Sequence, residues 1–247
     1  MIRIVAFAVA LLPLLLGPPV RAAEGFTPTQ RDEIVRIVRD ALRSDPSILR
    51  EAVEALQADD TRQQQAASKA AIAGARDTLV TGADPVAGNL NGDVTVVEFF
   101  DARCPYCRRL EPTMTDLLGH DRAVRLVYKD LPILGPQSLL ASKALLAAQR
   151  QGKYEALRTA LMQNGAPEIT AESIEAQAIR LGLDWPRLKR DMEDPAIRQQ
   201  LDTNLALAHK LGIEGTPALI IGGTLIPGAT TLADLQKAVN DARASKG

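Results

Sequence analysis

The chain has 247 residues, 46% of them hydrophobic and 24% charged, with a formal net charge of −1. That length holds one large domain or two small ones with a substantial core. The near-neutral balance gives no footprint for nucleic acid, and the scarcity of aromatics (3%) leaves alanine and leucine to build a helix-rich interior.

Residues 1–22 have the make-up of a cleavable export signal. Arg3 opens it, Ile4 to Leu16 is apolar apart from Pro13, and Gly17-Pro18-Pro19 ends the run before Val20-Arg21-Ala22. Cleavage is expected after Ala22. An uncleaved membrane anchor is the alternative, but the stretch is short for a span and holds Pro13 and Gly17. Export implies an envelope or extracellular compartment, in which disulfides persist.

Residues 23–64 read as a small helical domain. Thr27-Pro28 or Thr29 can start a helix whose Ile34, Val35, Ile37, Val38, Ala41 and Leu42 share one face. Ser44-Asp45-Pro46 stops it and caps a second helix carrying Ile48, Leu49, Ala52, Val53, Ala55 and Leu56. Two short helices bury too little to stand alone, so they must pack on the main domain or on copies of themselves. Asp59 to Lys69 is polar and Gln-rich, and residues 65–91 read as a helical linker ending in loop, with Thr81-Gly82-Ala83-Asp84-Pro85 as the break and 86–93 as turn-rich chain.

The main domain is expected over residues 92–247. Val94 to Phe100 is β-branched and aromatic, which marks a buried strand. A helix carrying Leu110, Met114 and Leu117 follows, then a strand over 122–128 and a turn over 131–136. Residues 137–211 are helical, broken at Gly152, Asn164-Gly165, Gly182, Trp185-Pro186 and Asp194-Pro195. Ala218–Ile221 and Thr224–Ile226 form a hairpin around Gly222-Gly223, and Leu232 to Ala244 is the last helix.

Between the first strand and its helix lie both cysteines of the chain, as Cys104-Pro105-Tyr106-Cys107. A bond across two residues closes almost no loop, so it makes a poor staple and a good reversible redox couple. At the first turn of a helix, unpaired N–H groups and the helix dipole favour a thiolate. Cys104 is therefore expected as the exposed nucleophile and Cys107 as the shielded, resolving thiol. Pro105 suits the first turn, and Arg103 and Arg108 add positive field. A zinc site would need two more ligands, with only His120 and His209 on offer. Copper(I) between the two thiolates is the remaining metal alternative; the redox reading requires no metal and no cofactor.

Two further positions stand out. Strand, CxxC and helix, followed by helices, hairpin and helix, outline an α/β thioredoxin fold with a helical insertion. In that fold Thr216-Pro217, just before the penultimate strand, takes the place of a cis-proline facing the CxxC. There the Thr216 backbone can pair with an extended substrate chain. Glu98 lies in an apolar strand six residues before Cys104. A carboxylate there needs a partner or a task, and a proton relay with Cys107 is the expected one. The plainer alternative is an edge glutamate paired with a lysine.

Val97-Glu98-Phe99-Phe100-Asp101 before the CPYC motif, with Gly215-Thr216-Pro217-Ala218, resembles the DsbA-like thiol–disulfide oxidoreductases of the bacterial envelope. Asp45 to Ala52 with Glu54-Ala55-Leu56-Gln57 resembles the N-terminal domain of suppressor-of-copper-sensitivity C (ScsC) proteins. The resemblance implies Cys104 as attacking thiol, Cys107 as resolving thiol, Glu98 as buried acid, and Pro105, Tyr106, Thr216 and Pro217 as the substrate-contacting surface. It implies unfolded or misoxidised envelope proteins as substrates, a membrane thiol donor or acceptor as redox partner, and a homo-oligomer, with a trimer favoured. Threonine before the proline resembles isomerase-type members and proline after the first cysteine resembles the oxidase. An isomerase or reductase is preferred, with a dithiol oxidase or a copper(I)-binding envelope protein as alternatives.

Overall fold

The computed structural model describes residues 25–163 and 168–245. The expected export segment 1–22 and the break at Asn164-Gly165 lie outside these residues. Among the described residues no helix is long and apolar enough to cross a membrane.

The chain divides into two compact units between Ala58 and Asp59. The first contains α1 (Pro28–Ser44) and the start of α2 (Ser47–Ala73). Thr27 caps α1 reciprocally: its hydroxyl accepts from the Gln30 N–H at 3.3 Å, and the Gln30 side chain accepts from the Thr27 N–H at 2.9 Å. Asp45 closes the turn between the helices by accepting from the Ser47 N–H at 3.0 Å. The apolar side chains Ile34, Val35, Ile37, Val38, Ile48, Leu49, Val53 and Leu56 are exposed, and α1 buries none of its residues. The Gln-rich stretch after Asp59 is helical and continuous with the turns before it, because its alanines and glutamines favour helix and no Gly or Pro interrupts them.

The second unit is built on a five-stranded sheet of order β1-β3-β2-β4-β5. After α3 (Arg76–Leu79) come β1 (Val86–Gly88), β2 (Val94–Phe100), α4 (Pro105–His120) and β3 (Val124–Asp130). The insertion supplies α5 (Pro136–Gln149), α6 (Tyr154–Met162), α7 (Ala171–Arg180), α8 (Trp185–Asp191) and α9 (Pro195–Lys210). The chain returns through β4 (Ala218–Ile221), β5 (Thr224–Pro227) and α10 (Leu232–Ala244). β2 pairs parallel with β3 and antiparallel with β4, so it lies at the centre of the sheet. Gly222 and Gly223, with φ of 56° and 85°, make the β4–β5 turn, which calls for left-handed backbone at both positions.

Three expectations shift. Val86–Gly88 is an edge strand antiparallel to β3, not loop; three residues are too few to show an alternation. β3 runs two residues further than expected, through Lys129 and Asp130, which are buried and individually paired. Trp185-Pro186 starts α8 instead of breaking a helix, with Asp184 as its cap.

Alternation along β2 sorts its side chains into two cores. Val94, Val96 and Phe100 pack with Leu110, Met114 and Leu117 of α4 and with Leu157 and Leu161 of α6. Val97 and Phe99 face the other way, toward Ile72, Leu207 and Ile220. Glu98 lies between Val96 and Phe100 and thus on the α4 face. On the opposite side, the Lys129 ammonium donates to Asp84 Oδ2 at 2.7 Å and to the Thr78 carbonyl at 3.3 Å, anchoring the segment that leads into β1.

Both side chains of the Lys129–Asp84 pair are almost fully buried, at 2% and 1% exposure. Removing one partner leaves an uncompensated buried charge, which costs about 3–5 kcal/mol. Asp84→Ala is expected to lower the melting temperature by roughly 10 °C, while Asp84→Leu with Lys129→Met restores much of the loss. Thermal unfolding followed by circular dichroism reads both; a drop under about 2 °C for Asp84→Ala contradicts a structural role.

Candidate active site

β2 ends at Phe100 and the chain turns through Asp101-Ala102-Arg103 before α4. Asp101 fixes this turn. Its carboxylate accepts from the Arg103 N–H at 2.8 Å on one oxygen and from the Ile133 and Leu134 N–H groups at 2.9 and 3.0 Å on the other. Its backbone carbonyl accepts from the Cys104 N–H at 2.9 Å. One buried side chain therefore joins the CxxC turn to the loop before α5. Arg103 reinforces the joint, donating from Nη1 to the Leu134 carbonyl at 2.5 Å, and Arg108 Nε donates to the Ala102 carbonyl at 3.2 Å. Both guanidinium groups are engaged with backbone carbonyls, Arg103 with one in the loop before α5 and Arg108 with one in the turn itself.

Cys104 is the N-cap of α4, with extended backbone, and Pro105 follows in the first turn. The helix dipole puts positive potential at this end of α4, although the Cys104 side chain makes no capping hydrogen bond to the N–H groups of the turn. Both cysteines are thiols in this structure. Cys104 is not the exposed residue expected: it is 4% exposed, against 0% for Cys107. The covering is supplied from the far side of the sequence, because Cys104 Sγ donates to the Thr216 carbonyl at 3.1 Å. The Thr216-Pro217 bond is cis, as expected, and this pair lies directly across from the CxxC. Pro105 and Tyr106 are exposed beside it, and the Arg109 guanidinium lies 5.1 Å from the Tyr106 ring centre.

Cys107 sits one turn inside α4. Burial pushes its thiol well above the ordinary range, and the charges of Glu98 and Cys104 push it further. A backbone hydrogen bond at Asp101 and the Thr216 side chain act in the opposite direction. Thr216 thus meets both sulfurs, one through its carbonyl and one through its side chain.

Glu98 is fully buried, which excludes the edge position. Its partner is an arginine of the insertion, not a lysine. Arg158 Nη2 donates to Glu98 Oε2 at 3.1 Å, and Nη1 to Glu111 Oε2 of α4 at 2.5 Å. The same guanidinium lies over the Phe100 and Tyr128 rings, 4.6 and 4.2 Å from their centres. Burial pushes the Glu98 carboxyl up to about 7; Arg158 pulls against this, while Glu111, Glu155 and Asp130 add to the rise. Asp130, also fully buried and near 7, accepts from the Tyr154 hydroxyl at 2.7 Å. Sequence reasoning missed Arg158. Its trace was available, since Tyr154, Leu157, Arg158 and Leu161 form an i, i+3, i+4, i+7 stripe that sets the arginine on a buried face.

The DSBA-like thioredoxin domain family matches residues 95–240, and the N-terminal domain of the copper resistance protein ScsC matches residues 30–67. The solved structure of a thioredoxin-like oxidoreductase from Silicibacter pomeroyi is 45% identical, with a TM-score of 0.64, covering 66% of this chain and 94% of that one. Proteus mirabilis ScsC in a transitional conformation is 32% identical with a TM-score of 0.65, covering 90% of this chain and 98% of that one. Among curated proteins, the Na(+)/H(+) antiporter NhaA 3 of Salinispora tropica is 30% identical over a region that is 66% of this chain and 25% of the relative. The chain spans about a quarter of the length of the first curated relatives it matches. With its strand–CxxC–helix unit and cis-proline loop inside the larger match, this chain belongs to the DSBA-like thioredoxin family of thiol–disulfide oxidoreductases.

Proposed function

We propose that this chain is a periplasmic protein-disulfide isomerase or reductase acting on misoxidised or unfolded envelope proteins. The observation that carries the proposal is the Cys104 sulfur at the start of α4, 3.1 Å from the Thr216 carbonyl and backed by buried Cys107. The Cys104 thiolate attacks a client disulfide, forming a mixed disulfide and releasing one client thiolate. Cys107 then loses its proton and attacks Cys104 Sγ. The Cys104–Cys107 bond forms, the second client sulfur leaves, and two electrons have passed to the client. An isomerase ends the cycle earlier, when a different client thiolate displaces Cys104. A membrane thiol donor returns the pair to the reduced form.

Three features support isomerase or reductase over oxidase. The N-terminal region matches the ScsC domain. The apolar faces of α1 and α2 are exposed in the chain, which suits assembly with copies of itself into a trimer. Several reduced sites held near one client favour reshuffling over a single oxidation. Thr216, not a hydrophobic residue, precedes Pro217, which resembles the isomerase-type members of the family.

Mixing Cys107→Ser with a disulfide-bearing peptide is expected to give a stable mixed disulfide on Cys104 by intact mass, and Cys104→Ser to give none. The wild-type chain is expected to reactivate scrambled ribonuclease; oxidation of a reduced peptide without reactivation points to the oxidase instead. In light scattering a mass three times that of the chain is expected, and a monomer at micromolar concentration contradicts the proposed assembly. Glu98 serves the resolving step as the base for the Cys107 proton, so it must be ionised. The rate of mixed-disulfide resolution should rise with pH through about 7. Glu98→Gln should flatten that rise and slow resolution about a hundredfold at neutral pH; an unchanged profile removes the role.

A further inference from the structure

Arg158 is one of the buried charges among the described residues. It is contributed by α6 of the insertion, it is 1% exposed, and it touches two acids on two other elements: Glu98 on β2 and Glu111 on α4. A core arginine with no function beyond packing is an expensive way to fill space, since apolar residues of like volume often serve equally well. Its contacts are also uneven. Arg158 takes Oε2 of Glu98, while Oε1 is buried and makes no hydrogen bond among the described residues. The two oxygens of one carboxylate are thereby made unlike: one clamped, one unengaged. The charge of that carboxylate is felt at Cys107.

We infer that Arg158 is a positioning residue for the resolving half-reaction, clamping Glu98 through Oε2 so that Oε1 stays available as the base for the Cys107 proton. The inference rests on the proposed disulfide exchange and deepens it. The proton leaves Cys107 Sγ for Glu98, and the Cys107 thiolate forms the bond to Cys104 Sγ as the client thiolate departs. The proton returns to solvent when Glu98 ionises again. No further reductant or oxidant enters this step. Without a cation at 158, burial and the neighbouring acids hold Glu98 protonated, and a protonated carboxyl accepts nothing from Cys107. The guanidinium suits the place better than an ammonium, because its planar fork serves both carboxylates at once while its face lies over Phe100 and Tyr128.

The surroundings define what else must be watched. Glu98 faces Arg158, and around the pair stand Glu111 and Cys107 from α4, Tyr128 and Asp130 from β3, and Glu155 and Tyr154 from α6. Tyr128 donates to Glu155 Oε1 at 3.2 Å and Tyr154 is taken up by Asp130, so both phenols are occupied with other acids. Among the described residues, Glu111 is the one other carboxylate that Arg158 holds directly.

The test is the pH profile of mixed-disulfide resolution in single turnover, with attack by Cys104 timed separately as the reference. For Arg158→Met the midpoint of the resolution profile is expected to move up by about one pH unit, a loss of about tenfold at pH 7. Arg158→Lys, which keeps the charge, is expected to recover part of the shift. In a Glu98→Gln background the further change Arg158→Met is expected to leave the resolution rate the same at every pH. A uniform loss at all pH values with no movement of the midpoint, or an equal loss in the Glu98→Gln background, overturns the inference and leaves Arg158 a packing residue. Should Arg158→Met alone fail to fold, the Glu98→Gln pair of variants still decides, because it leaves no acid at 98 unpaired. If Cys107→Ser never forms a mixed disulfide, the exchange reading itself fails, and that result is separate from any movement of the profile.

Discussion

One contact joins the two parts of the site: the Cys104 sulfur against the Thr216 carbonyl, 112 residues away in sequence. It exists because β2 and β4 are neighbours. Phe99 stands opposite Ala218 in their antiparallel register, so the residues just beyond each strand end, Asp101 to Cys104 on one side and Thr216-Pro217 on the other, must meet at the same edge of the sheet. Asp101 then fixes the angle at which α4 leaves β2, using three backbone N–H groups from two segments. Buried N–H groups that lose an acceptor cost about 1–3 kcal/mol each, so the carboxylate holds the turn firmly. The chemistry follows from that placement: a thiol at a helix start, a second thiol beneath it, and a peptide carbonyl across from both.

The covering of Cys104 by Thr216 changes how the nucleophile is understood. The sulfur is shielded in the free protein and is reached through the loop that covers it. Under the proposed function, a client chain pairing with the Thr216 backbone would displace the carbonyl from Cys104 Sγ and bring its own disulfide to the same place. Specificity and reactivity therefore meet at one peptide group. The exposed Pro105 and Tyr106 form an apolar and aromatic rim around it.

Much of this was legible in the residues. The CxxC between a β-branched run and an apolar-striped helix located β2, α4 and the redox pair, since strand and helix periodicities are local. Gly222-Gly223 marked the hairpin, and Thr216-Pro217 was found by its position before it. What stayed hidden was long-range. Lys129 and Asp130 look like strand-ending residues until their partners Asp84 and Tyr154 are known, each brought in by a different element. The burial of Cys104 depends on a loop more than a hundred residues away. Arg158 received no role from the sequence, although its place in the apolar stripe of α6 marks it as buried. A pattern shows that a charge is inside; it does not say which acid receives it.

The most direct test of the account is competitive alkylation of the two thiols in the reduced, native chain, read by peptide mass spectrometry. The sulfur at the helix start should be modified first, with Cys107 protected until Cys104 is blocked or the chain is unfolded. Modification of Cys107 ahead of Cys104, or of both at one rate, would contradict the assignment of Cys104 as the attacking atom.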